Sequence, residues 1–393
     1  MSTSTIDRRG IIYRVLTLIA VALIGTAFFQ PGWWVSLTAP NYPESTFPQG
    51  IRILFHMDSV QNGCYIRDSV EVVETEALDC VHEMDTINHY VGMYPIASGG
   101  PVEKAFSPFL FTMLAVMALT FAAPGRIVRM VVAVGGFGGI AVWMTMAMYT
   151  ENGIRLHTTN YLEGMVVSLG QDAGETAVNP NLPTIVQMLQ QSLAESEAEE
   201  AEAVAESGDK AAMIKTLKRA YELDNRKLPL KEQEDWNGSV MQVFKWHYAK
   251  SLNRWFNEPE RNEPLVQMMD NIAQLLYAAV IGVMVLLVLV AWSVRTIFHW
   301  LLVLGPMALP VGFLAEYAAW LWWYGHTLNE MGAFTLKPFM PTVFGQGKVA
   351  QFATHSYPAT GFFLMLASSA LLLLAALIRR KQLRLAGEDA RGM

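Results

Sequence analysis

The chain has 393 residues and a net charge of −7; with 52% apolar against 16% charged residues and a mean hydropathy above zero, it is not an ordinary soluble globular protein. An acidic tract at residues 193–209 supplies much of the negative charge, so the balance says little about partners, and no basic patch exists to hold nucleic acid. What remains is a polytopic membrane protein in contact with lipid.

After a polar start carrying Arg8 and Arg9, residues 11–29 form an apolar run of membrane-crossing length with no cleavage site behind it, which predicts a retained helix. Further runs at 106–123, 127–149, 272–292, 298–323 and 361–378 make six. Arg8, Arg9 and Arg14, then Arg126 and Arg129, then Arg295, then Arg379, Arg380, Lys381 and Arg384 fall at alternate helix ends. That distribution places both termini and the two short turns on the cytoplasmic side. The expected fold is therefore mostly α: a six-transmembrane-helix bundle with three extracytoplasmic loops, the first containing a small β element. The units are a tail and first helix to 29, outer loop one (30–105), two helices (106–149), outer loop two (150–270), two helices (271–323), outer loop three (324–360), and a last helix with a basic tail (361–393).

Outer loop one opens on PGWWVSLTAPNYPE, where the prolines exclude regular helix and Trp33 and Trp34 suit an interfacial aromatic belt. Residues 51–60 read as a strand and 69–73 as a second. Cys64 and Cys80 lie in this loop, where oxidising conditions favour a disulfide over a metal pair. In loop two, 181–209 reads as a helix or a solvated span, 210–225 and 239–256 as amphipathic helices. In the third predicted helix, Gly135 and Gly139 form a small-xxx-small step for close helix packing, and Pro306 and Pro310 predict a kink in the fifth. Loop three, dense in aromatics, prolines and glycines, is expected to have irregular backbone that must avoid lipid.

Seven of the eight histidines fall in the predicted outer segments. If HEMDTINH is helical, His82, Asp85 and His89 share one face and can converge on an ion; the competing reading is surface or hydrogen-bonding side chains. Nearby Met84 and Met93 would suit copper better than magnesium or calcium. In loop three, His326 and Glu330 stand four apart and His355 precedes the last helix, so His326 and His355 can meet or simply anchor at the headgroups. Glu316, the one acid well inside a predicted span, is either a proton-coupling residue or a structural hydrogen-bond acceptor. No nucleotide-binding, hydrolase, zinc-protease or covalent-haem motif is present, which ranks binding or accessory roles ahead of catalysis.

The segments PGWWVSLTAPNYPE, INHYVGMYPI and KPFMPTVFGQGKVAQF with HSYP resemble a family of bacterial membrane proteins associated with respiratory gene clusters for periplasmic copper enzymes such as nitrous oxide reductase. The likeness covers about a quarter of the chain, and the long insert in loop two departs from the family's shorter pattern. It implies an accessory protein that binds or delivers copper to a periplasmic or membrane metalloenzyme, and it draws attention to His89 and His355. The alternatives are a small-solute permease coupled to protons at Glu316, and a non-catalytic subunit of a larger membrane complex.

Overall fold

The computed structural model describes residues 8–64, 79–174, 201, 203–205, 207–294, 296–334, 336–349 and 351–389. In chain order the elements are α1 (Arg8–Phe28), β1 (Trp33–Thr38), β2 (Ile51–Phe55), β3 (Val60–Asn62), α2 (Cys80–Tyr90), α3 (Pro101–Ala122), α4 (Gly125–Tyr149) and α5 (Thr159–Gly174). They continue with α6 (Lys210–Asn225), α7 (Val240–Trp255), α8 (Pro259–Ala291), α9 (Leu301–Met307), α10 (Leu309–His326), β4 (Gly345–Val349), β5 (Phe352–Pro358) and α11 (Thr360–Asp389).

Among the described residues five helices, α1, α3, α4, α8 and α11, are long and apolar enough to cross a membrane; α9 and α10 form a bent pair that makes up to one more span. Such helices satisfy their own backbone groups, which lipid would otherwise leave unpaired. The bend is 57° and falls at Ala308, between Pro306 and Pro310, where missing N–H groups interrupt the helical ladder.

Two layers of aromatic contacts mark the ends of the apolar slab. At one end Tyr13 meets Phe121, Phe121 meets His299, and the Arg379 guanidinium lies over the Tyr13 ring. Arg126 covers Trp292 here, and Arg129 donates to the carbonyls of Ala291 and Trp292 at the last turn of α8. At the other end Phe28 packs on Phe111 and Phe313 on Phe362, with Met57 and Met365 between them. From Tyr13 to Phe28 the helix rises roughly 22 Å. Halfway along, Ser369 donates to the Met307 carbonyl, so the bend lies near the middle of the slab.

Beyond the Phe28 layer stands a cap of the sheet with α2, α5, α6 and α7. The sheet is antiparallel with strand order β3-β2-β1-β5-β4. Its centre joins β1 to β5, Trp33 opposite Pro358 through Thr38 opposite Ala353. The segments thus continue, in pairs, the two helices α1 and α11 from which they emerge. Cys64 and Cys80 are disulfide-bonded with Cα atoms 6.0 Å apart, which ties β3 to the start of α2.

Several expectations are corrected. Loop three is not irregular throughout: β4 and β5 lie in it, with period-two pairing hidden by glycines and by the absence of a long apolar run. Trp33 is a buried residue in a central strand rather than a belt residue; its indole donates to Ser356 Oγ at 2.8 Å. Residues 51–60 form two strands with a turn between them, not one. In α4 the glycine held against a neighbour is Gly136, where a Cβ would come within 2.5 Å of Val116, while Gly135 and Gly139 are exposed with open space beside them. The expected strand at 69–73 and most of the expected helix at 181–209 lie outside the described residues. The amphipathic helices of loop two stand as α6 and α7.

Ser356 is fully buried and serves three groups at once: it donates to the Val343 carbonyl at 2.8 Å and accepts from Trp33 and from the Tyr317 hydroxyl at 3.1 Å. Ser356→Ala leaves a buried indole N–H and a buried hydroxyl unpaired, so we expect a loss of about 2–4 kcal/mol in unfolding free energy, more than a buried methyl-sized change alone would produce. Denaturant unfolding in detergent, followed by tryptophan fluorescence, checks this; an unchanged midpoint would show that the node contributes nothing.

Candidate functional site

Glu103, in the first turn of α3, lies about 12 Å on the cap side of Phe111, as judged from the helical rise between them. Its start is shaped by two glycines. Gly100 adopts φ +59° as the N-cap, and at Gly99 a Cβ would lie 2.4 Å from the Tyr324 hydroxyl, which donates to the Pro95 carbonyl at 3.0 Å. This close approach brings α10 against the first turn of α3 and encloses a cavity of about 90 Å³ lined by His56, Glu103, Lys104, Glu316, Trp320 and Tyr324, among others.

Two carboxylates border this lower cavity. A Cβ built on Gly100 would sit 3.7 Å from Glu316 Oε1 and 3.8 Å from Glu103 Oε2, so both oxygens border the same point. Glu103 Oε1 accepts from the Trp320 indole at 3.3 Å, while its Oε2 is buried without a hydrogen-bond partner among the described residues. Glu316 follows Phe313 by one helical turn toward the cap. It therefore lies on the cap side of the aromatic layer, within the bent α9–α10 pair, as the apolar run leads one to expect.

Lys104 is shared with an upper cavity of about 60 Å³, lined by Asp58, Tyr161, His247 and Tyr248 with several serines. The Lys104 ammonium donates to the Ala97 carbonyl at 2.7 Å. The β2–β3 turn feeds both spaces: His56 borders the lower one, and Asp58 and Ser59 border the upper one. Asp58 Oδ2 accepts from Thr158 Oγ1 at 2.6 Å, and burial pushes its carboxyl up from the ordinary value.

The surrounding imidazoles are held neutral. His157 donates from Nε2 to the Ala105 carbonyl at 3.0 Å and accepts the Thr158 N–H on Nδ1, which fixes its tautomer. His247 donates to the Met165 carbonyl at 3.2 Å. Burial lowers His56 and His157 to about 4 and His247 to about 3.

The residues singled out from the sequence fall elsewhere, Glu316 excepted. His82, Asp85 and His89 do lie on one helix, α2. Asp85 Oδ1 accepts the Ile96 N–H at 2.7 Å, and burial raises its carboxyl to about 7. The His89 ring packs 5.0 Å from Phe256. His326 ends α10, stacked on Trp322 at 4.5 Å and donating to that residue's carbonyl, and His355 pairs with Ser36 and Gln346 in the sheet. Among the described residues no three His, Cys, Asp or Glu side chains gather in a group that could hold a metal ion. What the sequence does not single out is Asp58, Glu103, Lys104, Tyr161 and Tyr248. Glu103 and Lys104 precede the apolar window that marks α3, and Asp58 is concealed in a turn within an apolar run; an acid in IRILFHMDSV was the one available signal.

The three imidazoles bind fewer protons folded than unfolded between about pH 4 and about pH 6.5, so their contribution to stability is present above that range and lost as pH falls through it. The raised carboxyls of Asp58 and Asp85 act in the opposite sense, their contribution falling as pH rises above the ordinary carboxylate range, and for Asp85 up to about 7. His157→Gln is expected to lower stability at neutral pH by about 1–2 kcal/mol through its broken hydrogen bonds. It should also flatten the acid loss by up to about 3 kcal/mol. Unfolding midpoints measured from neutral pH down to about pH 4 check both effects; parallel profiles for variant and parent would contradict them. No family model matches this chain, and neither a curated protein nor a solved structure shows significant similarity to it.

Proposed function

We propose that this protein is a six-span carrier of a small polar solute in a bacterial plasma membrane, with its cap outside, both termini in the cytoplasm, and a coupling proton shared by Glu103 and Glu316. The observation that carries the reading is the pair of carboxylates bordering one point in a cavity beside a single ammonium, at the cap-side end of the bent α9–α10 pair. Glu103 is half-buried and Glu316 is exposed at the rim; two negative groups bordering one opening are balanced by one proton or one cation, and a site that gains and loses that charge can couple to a solute. The 57° bend supplies a place where α10 can move against α9 without breaking a continuous helix. The clustering of Arg126, Arg129 and Arg379 at the end opposite the cap supports the orientation.

Copper delivery to a respiratory metalloenzyme rests on the resemblance in the first and third loops. Its residues, His82, Asp85, His89, His326 and His355, bring no arrangement that favours it over the carrier.

In vesicles enclosing a pH-sensitive dye, we expect solute-dependent internal acidification when an external mixture of amino acids, urea and short carboxylic acids is presented with an inward proton gradient. Glu316→Gln and Glu103→Gln should each slow this more than about tenfold, as loss of an obligatory proton site requires. Acidification that ignores the solutes, or that survives both substitutions, would overturn the carrier. Purified protein holding one copper per chain, lost in His89→Ala or His355→Ala, would replace it with the metal reading.

A further inference from the structure

The upper cavity carries more unused hydrogen-bonding capacity than a packed interior tolerates. Asp58 is 1% exposed, Tyr161 4% and Tyr248 3%, and among the described residues both tyrosine hydroxyls lack a hydrogen-bond partner. An unpaired buried polar group is costly, so two such hydroxyls and a buried carboxylate bordering one hollow favour an occupant there. They come from three separate elements: the β2–β3 turn, α5 and α7. The α7 contribution is fixed from behind by Arg254, which donates to the Ser168 carbonyl and, at 2.9 Å, to Ser168 Oγ.

The chemistry of the lining is dipolar. Asp58 offers a carboxylate on one wall, and Lys104 an ammonium that spends one proton on the Ala97 carbonyl instead of on Asp58. Burial pushes both tyrosines up, so they remain neutral O–H donors. His247 is neutral and committed to the Met165 carbonyl. Hydroxyls of Ser98, Ser168 and Ser251 complete the wall. A bare cation would meet the Lys104 charge and a bare anion would meet Asp58; a molecule carrying both charges satisfies each. A hollow of about 60 Å³, at roughly 10–15 Å³ for each water-sized occupant, takes about five heavy atoms.

We propose that the upper cavity binds a zwitterion of glycine size, its ammonium on Asp58 and its carboxylate between Lys104 and the hydroxyls of Tyr161 and Tyr248. This names the solute class for the proposed carrier and rests on that reading only for the transport steps after binding; the site itself stands on its own lining. Because Lys104 also borders the lower cavity, a carboxylate bound above draws on the same ammonium that faces Glu103 and Glu316 below.

Equilibrium dialysis of the purified full chain in detergent, with radiolabelled glycine as the probe, tests the site. We expect saturable binding of one glycine per chain. Glycolate, which lacks the ammonium, and methylammonium, which lacks the carboxylate, should each compete about ten- to a hundredfold less well, the loss of one charge-assisted contact. Asp58→Asn and Tyr248→Phe should weaken glycine by a similar factor, and the competition series on the parent protein keeps the test valid where a variant fails to fold. Absence of saturable glycine binding at millimolar concentration would overturn the proposal in favour of a water-filled hollow. Glycolate competing as well as glycine, with Asp58→Asn unaffected, would overturn it in favour of an anion site on Lys104. Glycine binding that persists while vesicles show no solute-dependent proton movement sinks the carrier alone; proton movement driven by other solutes without glycine binding sinks the zwitterion site alone.

Discussion

The antiparallel ladder between β1 and β5 is the constraint on which the rest of this architecture depends. It joins segments about 320 positions apart in the chain and lies immediately beyond the two helices that lead into it, so α1 and α11 are fixed as a pair before any other helix is considered. Closing so long a loop carries a substantial entropic cost, though that cost grows only slowly with length. The fold offsets it by burying Trp33 against Tyr317, Phe313 and Phe362 and by placing Ser356 where three polar groups converge. Through Tyr317 the same node reaches α10, and through α10 it sets the wall of the lower cavity.

The helices overshoot the apolar slab unequally, and the polar chemistry sits in the overshoot. Glu103 and Lys104 occupy the first turn of α3 beyond the Phe28 layer, and Glu316 lies one turn past Phe313. Placing ionisable groups there keeps the desolvation cost below that of the mid-slab, because the cap supplies hydroxyls, an indole and peptide groups as partners. The cap in turn gains its packing from these projecting turns: Tyr94 stacks on Trp323 and meets Phe256, which links the loop before α3, α10 and the end of α7 in one aromatic group. A sheet this small needs such support, and the Cys64–Cys80 bridge adds to it by restricting the unfolded chain.

What the sequence made legible is what long-range hydropathy and 3.6-residue periodicity report. The membrane-length helices, the break near Pro306 and Pro310, the amphipathic α6 and α7, and the bridge of the two cysteines all leave local signatures. The central strands do not. WWVSLT comes after a proline and looks interfacial, and GQGKV and FATHSYP contain residues with weak strand preference, so their identity depends on pairing partners far away in the chain. The site is obscured for a related reason. An apolar window that begins at 106 discards Glu103 and Lys104, and histidine spacing draws attention to α2, where the acid Asp85 is occupied by the Ile96 N–H. Only Glu316 was visible, because a lone carboxylate in an apolar run is costly enough to stand out by itself.

Lys104 is the point where the two cavities become one system. The Lys104 ammonium stands among Asp85, Glu103, Glu316 and Asp58, and it cannot compensate all four carboxyl groups equally. Any ligand charge added in the upper space changes how much of the Lys104 field is left for the lower pair, and any proton taken up by that pair changes what Lys104 offers above. By linkage the two effects are equal in free energy, so the proposed coupling between solute and proton would need no rearrangement of the helices to begin with. On the proposed reading the bend at Ala308 then converts that charge balance into movement. Trp320 bonds to Glu103, Tyr324 to the Pro95 carbonyl and Tyr317 to Ser356, all from the one helix that the bend leaves free to pivot.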